Sequence, residues 1–256
     1  MKVVINDKYR NCKELVAFLE NLDSIFDSSG TPLHIARNAV KSFHIDELGR
    51  EVVVKRYKVP MLIQRVIYSY FRKSKAERAY MNAVKLTEFG FETPYPIAYV
   101  EQKSFGLMGY SYFVSEKTEY ESIQPTMLLE RPLEPSLAES LTKFFVDLHT
   151  KGILHNDLNA GNILFYQDVE ANYHFQLIDN NRMDFLKDEI PFDKRMENIC
   201  KFSNEEIYQQ VVACYADKIG MPSQLAIEKA MEARRKWADG RNRRKAFLAK
   251  FRNRKL

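Results

Sequence analysis

The sequence predicts an α+β fold in two lobes, a small β-rich N-terminal lobe over residues 1–116 and a mostly helical C-terminal lobe over residues 117–256. Three observations predict it. Residues 33–57 and then Ile97–Val100 and Tyr110–Val114 form short β-branched and aromatic runs broken by turn residues, which is the pattern of strands. Leu137, Leu141, Phe144, Phe145 and Leu148 recur at helical spacing, and helical pattern resumes from about Arg195. Between those helical stretches lies a polar loop, His155-Asn156-Asp157-Leu158-Asn159-Ala160-Gly161-Asn162, followed at once by the apolar run Ile163-Leu164-Phe165.

Leu15, Phe18, Leu19, Leu22, Ile25 and Phe26 predict one amphipathic helix over residues 12–27, ended by Ser28-Ser29-Gly30. Two strands follow around the turn Asp46-Glu47-Leu48-Gly49, the second running Val52-Val53-Val54-Lys55-Arg56-Tyr57. A lysine closing a buried strand is costly unless it finds a partner, which singles out Lys55. Lys58 is its rival, because a one-residue change of register swaps the faces, and a lysine snorkelling to water is the plain alternative. Ala76, Ala79, Tyr80, Ala83 and Val84 predict the next helix. Beside that face stands Glu77, either a partner for Lys55 or the second half of a capping box with Ser74. Pro125, Pro132 and Pro135 mark an irregular crossing; Ser136-Leu137-Ala138-Glu139 is a second capping box, and Gly152 closes the helix it opens.

The polar loop has the spacing His-x-Asp-x-x-x-x-Asn, and Phe175-Gln176-Leu177-Ile178-Asp179 places a further acid after a short strand. A polar turn between helix and hairpin would account for the first alone. The three polar residues together fit phosphoryl transfer. That chemistry needs a carboxylate to orient and deprotonate an acceptor hydroxyl, a role for Asp157, and ligands for Mg2+ on ATP, roles for Asn162 and Asp179. Ser115-Glu116-Lys117 is then the hinge, placing Glu116 where backbone groups would hold adenine.

Bulk properties agree. The chain has 256 residues, 45% hydrophobic and 29% charged, ordinary values for a soluble globular protein. Cys12, Cys200 and Cys214 have no metal-ligand spacing and read as reduced thiols. The apolar run at Met1–Ile5 is too short for a signal peptide and none approaches a membrane span, so a cytoplasmic location is expected. Net charge is +5, but from Arg234 to Leu256 the only acid is Asp239, among Arg234, Arg235, Lys236, Arg241, Arg243, Arg244, Lys245, Lys250, Arg252, Arg254 and Lys255. Ala246, Phe247, Leu248 and Phe251 interleave, so the tail suits either a solvated helix end or a basic amphipathic helix for anionic lipid or RNA.

Val53-Val54-Lys55-Arg56-Tyr57-Lys58-Val59-Pro60, Ser74-Lys75-Ala76-Glu77-Arg78-Ala79-Tyr80, Thr93-Pro94-Tyr95-Pro96-Ile97-Ala98 and the loop from His155 to Phe165 resemble, in this order, the lipopolysaccharide core kinases, the Kdo/heptose kinase group with a protein-kinase-like fold. The resemblance spans roughly residues 35–200. It implies transfer of the ATP γ-phosphate to an inner-core sugar, Kdo or heptose, on a lipid A precursor at the cytoplasmic face of the inner membrane. That glycolipid acceptor and peripheral contact with anionic lipid are the partners it implies, with nucleic acid not favoured. Carried over, Asp157 is the base, Asn162 and Asp179 are the metal ligands, Lys55 with Glu77 is the phosphate clamp, and His155 braces the loop.

The chain departs from the protein-kinase pattern at several points. No Gly-x-Gly-x-x-Gly loop precedes Lys55, Asn156 and Asn159 stand where an arginine and a lysine are usual, and Asn180-Asn181 follows Asp179. The cation that Asn159 does not supply must come from elsewhere. These departures point towards a small or glycolipid acceptor. A minimal protein kinase with an RNA- or particle-binding tail, and a nucleotide-binding pseudokinase scaffold, are the alternatives.

Overall fold

Strands β1 (Lys2–Ile5), β2 (Thr31–Ile35), β3 (Ala39–Ile45), β4 (Arg50–Tyr57), β5 (Pro96–Ser104) and β6 (Leu107–Glu116) form an antiparallel sheet ordered β1-β5-β6-β4-β3-β2. The computed structural model describes residues 1–252 except Arg37, Glu130 and Ser203. Alternation along β4 assigns its faces. Val52 and Val54 are buried with Leu15, Phe18, Leu22 and Phe26 from α1 (Lys13–Glu20) and α2 (Leu22–Ser28). Tyr57, of the opposite parity, is buried with Ala76, Ala79 and Tyr80 of α4 (Lys75–Glu88), which follows α3 (Leu62–Tyr70). Lys55 shares the parity of Tyr57 and therefore emerges on the α4 face.

The helix expected over residues 12–27 is two helices. Asn21 leaves helical geometry (φ −108°, ψ 14°) while its Nδ2 donates to the Ala17 carbonyl at 2.9 Å, ending α1 and letting α2 start anew. The apolar stripe survives the break because Leu15, Leu19, Leu22 and Phe26 are all buried. Gly49 makes the left-handed turn between β3 and β4 (φ +59°). The residues between β2 and β3 include no glycine.

Residues 1–119 and 176–182 form one compact unit, and residues 120–175 and 183–256 form the other. The boundary expected after residue 116 thus falls after Glu119, and Asp179, expected in the C-terminal lobe, belongs to the first unit. Hydrogen bonds explain the transfer. Leu177 N–H donates to the Glu92 carbonyl (3.3 Å), Thr93 Oγ1 donates to the Leu177 carbonyl (2.7 Å), and Asn82 Nδ2 donates to the Asn180 carbonyl (2.6 Å). A single stretch of sequence cannot announce that its backbone will be claimed by a distant loop.

The second unit contains α5 (Gln124–Met127), α6 (Pro135–Thr150), α7 (Phe192–Ile199), α8 (Glu205–Lys218) and α9 (Ser223–Arg252). Its strands are β7 (Glu121–Ser122), β8 (Ile153–His155), β9 (Ile163–Gln167), β10 (Tyr173–Leu177, whose last two residues go with the first unit) and β11 (Met183–Phe185). They pair as β10-β9-β7 and β11-β8. Leu141 and Phe145 of α6 and Tyr208, Val211 and Tyr215 of α8 are completely buried.

The capping box expected at Ser136 is displaced. Glu134 is the N-cap, its carboxylate accepts from Ser136 N–H (3.1 Å) and Leu137 N–H (3.0 Å), and Pro135 takes the first helical position. Gly152 ends the turn after α6 at φ +72°, where a Cβ would meet the Leu186 carbonyl oxygen at 2.3 Å. Helix α9 carries the basic stretch. Its Ala226, Ala230 and Ala233 face inward and Arg234 stacks 5.0 Å from the Tyr208 ring centre. Arg254, Lys255 and the side chains of Leu248, Lys250, Phe251 and Arg252 lie outside the described residues. Among the described residues no helix is long and apolar enough to cross a membrane.

Candidate active site

In the first unit, Lys55 Nζ lies 2.8 Å from Asp179 Oδ1, with side-chain exposures of 19% and 27%. Sheet parity brings Lys55 to this face, and the Thr93 and Asn82 bonds hold the segment that carries Asp179. Asp179 itself is left-handed (φ +59°), an uncommon conformation for a side chain other than glycine, and Asn181 Nδ2 donates to its carboxylate. Lys55 also stands 5.5 Å from the Tyr57 ring centre. The Tyr57 hydroxyl is buried without a hydrogen-bond partner; burial first, and the Asp179 charge second, push its pKa well above the usual phenol value. Of the two candidate lysines, Lys55 meets the acid, whereas Lys58 is exposed beyond the end of β4.

Glu77 is not the partner of Lys55. Its carboxylate sits 4.0 Å from Lys2 and 3.7 Å from Lys73, and its N–H is capped by Ser74 Oγ at 3.0 Å. The strand order gives the reason. Lys2 is on β1 and Lys55 on β4, with β5 and β6 between them. At about 4.8 Å per strand they are about 14 Å apart, so a glutamate over β1 does not reach β4. Glu116 is also committed elsewhere. Its carboxylate gathers Tyr9, Lys8 (3.3 Å) and Arg50 (2.8 Å), and its N–H donates to the Tyr95 carbonyl at 2.9 Å. Tyr9 is pushed well up by burial and by this bond, while the cations and Tyr9 keep Glu116 below the usual carboxylate range despite its burial. Neither the carboxylate nor the N–H of Glu116 is offered to an adenine.

In the second unit, the turn from β8 to β9 is held mostly by neutral hydrogen bonds. Asp157 N–H donates to His155 Nδ1 (3.2 Å), and the Asp157 carbonyl accepts from Asn159 Nδ2 (2.9 Å) and Asn162 Nδ2 (2.8 Å). Asn159 Oδ1 caps the following turn by accepting from Gly161 N–H (2.9 Å). Leu158 is fully buried, anchoring the loop between its polar ends. His155 is the brace expected of it, and its own carbonyl accepts from Asn198 Nδ2 (2.9 Å). Asn198 Oδ1 in turn meets His149 Nε2 (3.2 Å), whose other ring nitrogen meets the Tyr215 hydroxyl (3.0 Å). Burial lowers the His149 pKa to about 4, so this brace is neutral near pH 7.

Sequence reasoning missed Lys201. Its ammonium lies 4.0 Å from Asp157 Oδ1 and donates to the Asn156 carbonyl. It follows α7, where spacing alone gives no sign of contact with the loop. Lys201 and Asn156 also line a cavity of about 560 Å³ with Asp184, Asn198 and Trp237. Asn156 Nδ2 donates to Asp184 Oδ2 (2.7 Å), fixing one wall.

Taken unit by unit, each holds a group of the kind that a nucleotide-bound Mg2+ takes from protein. Among the described residues no cluster of three His, Cys, Asp or Glu side chains forms a protein cage for a metal. Mg2+ on a nucleotide takes most of its ligands from phosphate and water and only one or two from protein. Asp179 offers a carboxylate in the first unit. In the second, Asn162 spends its Nδ2 on the Asp157 carbonyl, so its amide oxygen is the atom it could offer to a metal.

A model of the lipopolysaccharide kinase (Kdo/WaaP) family matches residues 40–189, more than half of the chain. The chain belongs to that family. It is similar to a solved structure described as WaaP in complex with acyl carrier protein, at TM-score 0.62 and 17% identity, covering 93% of this chain and 99% of that one. A Rio2 kinase–ADP/Mg2+–phosphoaspartate complex from Chaetomium thermophilum matches at TM-score 0.46 and 16% identity, covering 84% of this chain and 65% of that one. No curated protein matches the sequence significantly. The fold of this lipopolysaccharide kinase family member is therefore protein-kinase-like, and its family chemistry is phosphotransfer.

Proposed function

We propose that this lipopolysaccharide kinase transfers the γ-phosphate of ATP, as its Mg2+ complex, to a hydroxyl of an inner-core Kdo or heptose sugar on a lipid A precursor. The observation that carries the reading is the Lys55–Asp179 pair at 2.8 Å, a cation for phosphate and a carboxylate for metal held ready in one unit. When bound, Mg2+ would neutralise phosphate charge and favour departure of ADP. Lys55 would bind the phosphates, Asp179 and Asn162 would hold the metal, and Asp157 would orient the acceptor hydroxyl and take its proton. Glu77 is left out of the clamp, because its carboxylate is engaged by Lys2 and Lys73; Glu116 would serve only through its backbone carbonyl, its carboxylate and N–H being engaged.

Lys201 replaces the cation that Asn159 does not provide, standing beside Asp157 to balance charge as phosphate transfers. The cavity it shares with Trp237, Asp184 and Asn156 suits a sugar, with an aromatic face for ring C–H groups and polar groups for hydroxyls. Turnover is tested with purified protein, ATP and Mg2+ against Kdo- and heptose-bearing lipid A acceptors. Labelled phosphate should enter glycolipid. Label entering only protein, or none at all, would overturn the reading, and core mass spectra from cells with and without the gene should differ by one phosphate.

A further inference from the structure

Helix α3 is amphipathic in the reverse sense. Its polar side holds the sheet: Arg65 Nε donates to the Met108 carbonyl (2.7 Å), and Met108 N–H donates to Ser69 Oγ (2.8 Å). Its apolar side looks outward, with Leu62 65% exposed, Ile63 78%, Tyr70 65% and the following Phe71 82%, and no residue of α3 is buried. The β5–β6 turn adds to the same patch. Phe105 at its tip is fully exposed and left-handed (φ +52°), and a Cβ on neighbouring Gly106 would lie 3.8 Å from the Tyr70 hydroxyl. A soluble surface rarely leaves so continuous an apolar face to water.

Charge selects the occupant. From Val52 to Ala76 the chain carries no Asp or Glu, and Lys58, Arg72 and Lys73 are exposed at the two ends of α3. A cavity of about 540 Å³ beside its C-terminal end sets Lys2, Arg72, Lys73 and Lys103 against only two carboxylates, Glu77 and Glu101. A second copy docked on this face would bring like charges together, which is unfavourable. An anionic lipid surface accepts both features, the apolar side chains below the headgroups and the cations among the phosphates. In the basic stretch of α9, Phe247 is the one exposed large apolar side chain among the described residues.

We propose that α3, with the Phe105 turn, docks the protein reversibly on an anionic lipid bilayer. The inference does not depend on which sugar is phosphorylated. Full-length protein is sedimented with phosphatidylglycerol/phosphatidylethanolamine vesicles and with phosphatidylcholine vesicles, at low and raised salt. Wild type should bind the anionic vesicles and be released as salt rises. Ile63→Glu with Phe71→Glu should lower the bound-to-free ratio at least about tenfold, with the thermal midpoint unchanged because both positions are exposed. Arg243→Glu with Arg244→Glu should retain most binding. The proposal is overturned if wild type stays in the supernatant, if the α3 variant sediments like wild type, or if only the α9 variant loses binding. It is equally overturned if wild type elutes as a dimer that the α3 variant dissociates, since a second copy would then cover the face.

Discussion

In the first unit Lys55 and Asp179 neutralise each other across 2.8 Å, whereas in the second Asp157 keeps its carboxylate 39% exposed with Lys201 at 4.0 Å. On the proposed function the first arrangement would have to exchange partners when phosphate and metal arrive, because Lys55 and Asp179 would each meet another ion. The second is preset: His155, Asn159 and Asn162 fix the Asp157 backbone by hydrogen bonds that need not change. Damage to the first set should therefore register in nucleotide affinity, and damage to the second in turnover.

The largest effect expected is for Asp157→Asn, with kcat reduced about 10²–10⁴-fold, the usual worth of a general base. Its Mg-ATP affinity should stay near wild type by calorimetry, and a large affinity loss would erase the distinction between the sets. Asp179→Asn and Lys55→Met should each raise the Mg-ATP Kd about tenfold to a hundredfold, since hydrogen bonds to charged groups contribute about 1.5–3 kcal/mol. The double variant should lose less than the sum, because the two side chains touch. Lys58→Met should change affinity less than about twofold, as an exposed charge contributes little; the opposite ranking of the lysines would reassign the clamp. Lys201→Met is expected to lower kcat about tenfold, equivalent to about 1.4 kcal/mol, with the KM for ATP unchanged. A change confined to that KM would move Lys201 to the nucleotide set.

The smallest effect concerns the brace behind the second set. Folding lowers the His149 pKa from 6.5 to about 4, so between those values the unfolded chain binds more protons than the folded one. Stability therefore rises with pH through this window, and up to about 3 kcal/mol is lost as pH falls from 6.5 towards 4. Thermal midpoints measured from pH 7 to 4 should drop more steeply for wild type than for His149→Gln. Parallel curves would show that His149 does not govern the slope.

Much of this was legible in the chain. Asp157, Asn162 and Asp179 stand out in the sequence because phosphoryl transfer, the proposed reaction, needs these residue types at short, fixed separations along one segment. The strands behind Lys55 and the helix behind Leu137–Leu148 are likewise local patterns, readable from alternation and helical repeat. What escaped depends on neighbours distant in sequence. Glu77 looked like a partner for Lys55 only while the position of β1 was unknown. The place of Glu116 at the end of a strand could be read locally, but that Tyr9, Lys8 and Arg50, all far from it in sequence, take its carboxylate could not. Glu134 displaced Ser136 as the cap because an acid before Pro135 reaches two backbone donors at once. Lys201 and the outward face of α3 carry no periodic signature that says which way they point.

Gly152 stands three residues before His155 and touches none of the chemistry, yet its Cβ would have to share space with the Leu186 carbonyl oxygen at 2.3 Å. The Leu186 N–H is meanwhile bound to the Gly152 carbonyl at 2.8 Å, and β8 and β11 are paired just beyond. Room for a methyl group exists only if the strand leading to the His155–Asn162 turn shifts. In a saturation survey scored by activity, position 152 should therefore be as intolerant as the reacting residues themselves, with alanine already damaging. Intolerance there would measure the empty space that the turn requires, so a map of essential positions in this enzyme is partly a map of where atoms must be absent.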